Sequence, residues 1–197
     1  YTQTSDVETE CNGLLTYDRA VMKLDPAIAR VANLGDPRRQ PMKVVLPDAV
    51  LGRALWRFTV VPPPDDWTKP GFDASGWREG MSGFGTGATP GARANTAWET
   101  SDIWLRREFT LGPEDLTGLR LRVYHDEDVE VYLNGVLALQ QSGYVNDYLE
   151  FDISREATAA LRPGSNTIAV RCHQTGGGQC VDVGVLVPKT KSPVKGN

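Results

Sequence analysis

At 197 residues the chain can bury one sizeable core but is short for two full domains. Its 40% hydrophobic and 23% charged residues and net charge of -4 are those of an ordinary globular protein. They leave no concentrated basic face to neutralise nucleic-acid phosphates, and no run approaches the roughly 20 apolar residues of a membrane-spanning helix.

The first 40 residues read as helical and irregular. Ser5 with Glu8 three residues on forms a capping box, and Asp25, Pro26 and Gly35 mark the N-cap, first position and stop of a second helix. "GDPRRQP" is a Pro-rich, charged connector of the kind that separates domains. The expected organisation is therefore a leading piece over 1–40, a β domain over 41–190 and a short tail over 191–197.

From about Met42 the period becomes two. Leu119, Leu121 and Val123 alternate with Arg120, Arg122 and Tyr124, and Val129, Val131 and Leu133 alternate with Glu130 and Tyr132. Leu149, Phe151 and Ile153, then Ile168, Val170 and Cys172, then Val181, Val183, Val185 and Val187 repeat the pattern. "HDED", "LNG", "RPGSN" and "TGGG" supply turns at the spacing of an all-β sandwich, with Asn134 and Gly135 suited to a tight hairpin. "SREATAAL" predicts a short helix capped by Ser154 and ended by Gly164, and Trp67, Trp77 and Trp104 supply apolar area near the sandwich edges. "IWLRREFTL" breaks the rule, because strict alternation puts Arg107 on the face of Ile103, Leu105 and Phe109. That requires either a bulge or an Arg paired at the sheet margin.

Three cysteines, Cys11, Cys172 and Cys180, leave at least one unpaired. Cys172 and Cys180 could close a small loop if their strands face each other, but buried thiols are the better reading. With His173 they give three ligands at a spacing that fits no usual structural zinc site. Two carboxylates about 5 Å apart would be needed for paired nucleophile and acid–base chemistry. Glu8 with Glu10 reads instead as helix-end acids, and Asp126 with Asp128 as part of a hairpin turn. The run Asp126, Glu127, Asp128 is a candidate calcium ligand set, although three consecutive acids do not fill the six or more positions that ion takes. Neither His125 nor His173 has a nucleophile-elbow neighbour, so a hydrolytic triad is not expected.

In order, "DDW", "FDASGW", "GFG", "DIWLRREFTL", "VEVYLNGV", "SGY" and "LRPGSNTIAVRC" resemble the galactose-binding-like jelly roll. That domain occurs as the sugar-binding domain of glycoside hydrolase family 2 and in related bacterial enzymes, and the resemblance covers about residues 54 to 187. "YTQTSDVETECNGLLTYDR" resembles the end of the catalytic (β/α)8 barrel of the same family. The resemblance implies a galactose-binding-like β-sandwich preceded by a barrel-end remnant, with the catalytic glutamates upstream of Tyr1. It also implies a periplasmic or secreted setting over a cytoplasmic one.

If the strands align as in that family, His125 and His173 come together at one end with Asp126, Gln174, Gln179 and Asp182 as a polar patch. Tyr144, Tyr148 and Trp98 could add the aromatic platform that sugar sites use. The expectation is a non-catalytic module that binds an oligo- or polysaccharide without a cofactor. The alternative is a domain that braces the catalytic barrel or a subunit interface and binds no sugar.

Overall fold

The computed structural model describes residues 41–87, 89–113 and 116–189. The expected helices before residue 40, with Glu8, Glu10 and Cys11, and the tail over 191–197 lie outside them.

Among the described residues twelve strands follow in chain order: β1 Met42–Leu46, β2 Leu55–Thr59, β3 Arg78–Met81, β4 Phe84–Gly85, β5 Thr96–Ala97, β6 Asp102–Leu111, β7 Arg120–Asp126, β8 Asp128–Leu133, β9 Val136–Gln141, β10 Leu149–Asp152, β11 Gly164–His173 and β12 Cys180–Pro188. One helix, α1 Arg155–Ala160, precedes β11. The strands form two six-stranded sheets, giving the all-β sandwich that the period-two pattern predicts. One sheet runs β10-β7-β12-β4-β5, with β1 also on β12, and the other runs β3-β2-β6-β11-β8-β9. All pairings are antiparallel except the two-residue β4/β5 contact.

The alternating residues build the layer between the sheets. Leu121 and Val123, Val129 to Leu133, Ile168 to Cys172 and Val181 to Val187 present their apolar members to one core cluster with Ile103, Leu105 and Phe109. Burying each such side chain contributes about 1.5–3 kcal/mol, which makes this layer the main source of stability. β12 is buried on both faces because Tyr124, Tyr148 and Cys180 pack together on its outer side beneath Ala92 and Val145. The other sheet's outer face carries Trp67 and Trp104 with Phe72, Trp77 and Tyr132. These tryptophans thus form a layer over a sheet face.

Asn134 (φ 50°) and Gly135 (φ 86°) close the two-residue β8–β9 hairpin in the left-handed region that such turns require. Ser154 caps α1, its hydroxyl accepting from Ala157 N, as the sequence predicts. The helix ends earlier than Gly164, however. Leu161 is already extended, Pro163 follows, and Gly164 begins β11. β10 also departs from expectation: Leu149 is exposed and Phe151 only half-buried, since β10 is an edge strand. Arg107 sits in unbroken register opposite Ile168, so there is no bulge. Its guanidinium instead donates to the Leu55 carbonyl at the margin, where β2 has parted from β6. Cys172 and Cys180 are free and fully buried, and desolvation pushes both thiols well above their ordinary range.

Candidate functional site

The β7–β8 turn, the segment after β9 and the β11–β12 loop meet at one end of the sandwich. Asp128 Oδ1 accepts from Gly143 N at 2.8 Å, and Val145 N donates to the His125 carbonyl at 3.0 Å, which fixes the 143–145 segment on the turn. His125 Nδ1 lies 2.7 Å from the Glu127 carbonyl and 3.0 Å from the Gly143 carbonyl. Both neighbours only accept, so Nδ1 carries a proton. Thr175 donates its hydroxyl to Glu127, and Gln174 N donates to the Ser101 carbonyl at 2.7 Å.

This geometry separates the nine residues that the sequence singles out. His125, Asp126, Gln179, Asp182, Trp98 and Tyr148 are buried. Gln179 is spent on the scaffold: its Nε2 donates to the Thr100 carbonyl at 2.7 Å and its backbone N–H to Thr89 Oγ1 at 2.9 Å. Asp182 lies on the outer side of β12 and accepts from Ala49 N, Gly83 N and the Tyr148 hydroxyl. Trp98 joins the central core and donates its indole N–H to Thr100 Oγ1 at 3.1 Å. Neither Trp98 nor Tyr148 presents a free ring face. Burial, then the neighbouring Glu127, raises the Asp126 carboxyl above its ordinary value.

Tyr144, His173 and Gln174 reach the surface, with Tyr144 65% exposed. His173 lines a hollow of about 130 Å³ with Arg171, Glu130, Gln140, Gln141 and Ser142. Asp102 Oδ1 holds its cationic side, taking Arg171 Nη2 at 3.0 Å and His173 Nδ1 at 3.1 Å. Tyr132 donates its hydroxyl to Glu130 at 2.9 Å, and its pKa is pushed up to about 12, by burial first and then by that bond. Carboxylate, guanidinium, amide, imidazole and hydroxyl groups thus face one hollow, and Tyr144 stands two residues along the chain from Ser142.

Arg171 and Glu130 are not among those nine, yet they are legible. Both occupy the outward position of an alternating strand, and they are direct cross-strand partners. Gln140, Gln141 and Ser142 carry no such signal, because their place depends on the irregular register of β9 against β8. The three carboxylates of the β7–β8 turn go to separate partners or positions. Among the described residues, no group of three or more histidine, cysteine, aspartate or glutamate side chains converges to hold a metal ion.

No family model matches the chain, and no curated protein matches it. Solved structures do. A β-glycosidase from Bacteroides vulgatus is similar at 18% identity and a TM-score of 0.48, over 74% of this chain and 20% of that one. A glycosyl hydrolase family 2 member from Bacteroides cellulosilyticus is similar at 20% identity and 0.47, over 66% and 20%. A β-glucuronidase from Bacteroides uniformis is similar at 16% identity and 0.48, over 76% and 18%. The chain spans about a fifth of the length of these proteins.

Proposed function

We propose that this chain is a non-catalytic part of a glycoside hydrolase and that it binds carbohydrate at the Tyr144 end of the sandwich. The supporting observation is the exposed Tyr144 ring, two residues along the chain from Ser142, which lines the Arg171–His173–Glu130 hollow. An aromatic face stacks on the C–H face of a sugar, and the surrounding donors and acceptors take its hydroxyls. The shallow hollow fits weak binding of one or two sugar units of a longer chain. Affinity electrophoresis of the full chain against a panel of plant and algal polysaccharides should show retardation by at least one. Tyr144→Ala, a change at an exposed site, should abolish it. Absence of retardation across the panel, or retardation unaffected by Tyr144→Ala, overturns the reading.

A second reading, a bracing domain, draws on Leu55 and Met81. They are directly opposed on β2 and β3, and both are more than two-fifths exposed. It predicts self-association in light scattering that Leu55→Ser with Met81→Ser removes.

A further inference from the structure

The hollow that Ser142 lines has a charged floor, laid out in rungs on the outer face of the β6-β11-β8-β9 sheet. One rung sets Arg171 of β11 against Glu130 of β8 and Gln140 of β9; the next sets Asp102 of β6 against His173 and Asp128. Cross-strand partners on one face are neighbours, so a ligand in the hollow meets these groups together.

The cations there are already engaged. Asp102 Oδ1 takes Arg171 Nε at 3.3 Å, Arg171 Nη2 at 3.0 Å and His173 Nδ1 at 3.1 Å. The acids on the hollow's own wall are not. Among the described residues Asp128 and Glu130 form no ion pair, and each spends one oxygen, Glu130 Oε2 on the Tyr132 hydroxyl at 2.9 Å and Asp128 Oδ1 on Gly143 N at 2.8 Å. Their second oxygens, Glu130 Oε1 and Asp128 Oδ2, have no hydrogen-bond partner there and are not sealed from solvent. They are open acceptors.

Three carboxylates, Asp102, Asp128 and Glu130, thus face one guanidinium and one imidazole, so this surface is negative whether or not His173 is protonated. An open carboxylate oxygen accepts a sugar hydroxyl but repels a sugar carboxylate, and between half-buried groups a few ångströms apart each such repulsion costs about fivefold in affinity. A uronate would need a free guanidinium or ammonium, and the guanidinium that lines the hollow is held by Asp102. We propose that the hollow selects uncharged sugar units over uronic-acid units, with Asp128 and Glu130 as the residues that set the choice. This rests on the carbohydrate reading at the Tyr144 end and gives that site its substrate class.

Affinity electrophoresis of the full chain at neutral pH and low salt can decide it. Each polysaccharide that retards the chain is compared with a partner of the same backbone and opposite charge state: a neutral polymer with its C6-oxidised uronate form, a xylan with glucuronoxylan, an acidic polymer with its carboxyl-reduced form. The uncharged member should bind at least about fivefold more tightly, and the gap should narrow at about 0.5 M salt as the charges are screened. Glu130→Gln with Asp128→Asn keeps an acceptor for Tyr132 and for Gly143 N while removing both charges. It should close the gap, chiefly by strengthening the acidic member. Glu79→Gln with Glu108→Gln changes the net charge equally, four and two strands away from Glu130, and should leave the gap open. An acidic member bound as well as its uncharged partner, a gap that salt does not narrow, or a gap that the distant pair closes as fully as the near pair overturns the proposal and leaves the carbohydrate reading standing. The salt arm decides even if the near variant fails to fold. Silence across the whole panel overturns the carbohydrate reading, and the proposal with it.

Discussion

Tyr148 donates its hydroxyl to Asp182 Oδ2 at 2.8 Å, in a layer that loops close over the outer face of β12. Removing that hydroxyl leaves a buried carboxylate one donor short. It spares the ring, which packs on Tyr124 at 5.4 Å and under the Arg122 guanidinium at 4.4 Å. Tyr148→Phe should therefore lower the unfolding free energy by about 1–3 kcal/mol at neutral pH, measured by urea denaturation. A change indistinguishable from zero would mean that the bond contributes nothing net.

The same carboxylate predicts a pH dependence. The Asp182 pKa is pushed up to about 6, first by burial and then by nearby Asp48, against the opposing pull of Ala49 N, Tyr148 and Gly83 N. The folded chain therefore holds this proton more tightly than the unfolded chain, whose value is near 3.8. Its contribution to stability is complete below about 3.8 and is lost as pH rises through about 6. Arg122, which donates to Asp48, is a cation on this face. The stability gap between the natural chain and Asp182→Asn should narrow by on the order of 2–3 kcal/mol from pH 4 to pH 7. A constant gap across that range would contradict the raised value.

Gly83 tests the backbone. Its φ is +83°, and a Cβ there would come within 1.8 Å of the Arg93 carbonyl oxygen. Its own carbonyl accepts from Asn95 N and Thr96 N, so it cannot move without breaking the β4–β5 connection. Gly83→Ala should destabilise by more than about 3 kcal/mol or prevent folding. Gly76→Ala, at an exposed turn with nothing within 4 Å, should lie within about 0.5 kcal/mol of neutral. Comparable thermal melts for the two variants would refute the assignment.

The strands that supply the core were readable because burial on one face imposes a period of two. β7, β8, β11 and β12 carry it in Leu121–Val123, Val129–Leu133, Ile168–Cys172 and Val181–Val187. β4 and β5 are two residues each and have no room for a period. The candidate site was less legible for a different reason. Trp98 and Tyr148 lie in polar, turn-rich surroundings and Asp182 takes the outward position of an alternating strand, all of which suggests exposure, but Trp98 packs into the central core, and Ala92 and Val145 pack against the Tyr124–Tyr148–Cys180 layer on the outer face of β12. Alternation says which side of a strand a residue takes and nothing of what lies above that side.

The donors to Asp182 come from 133, 99 and 34 positions away along the chain. Each needs its own stretch docked, the turn after β1 for Ala49, the β3–β4 corner for Gly83 and the segment before β10 for Tyr148, so the carboxylate is fully satisfied only when all three are in place. Such distant closures are slow to form. A fully bonded Asp182 thus marks a chain in which three remote stretches have all reached the outer face of β12.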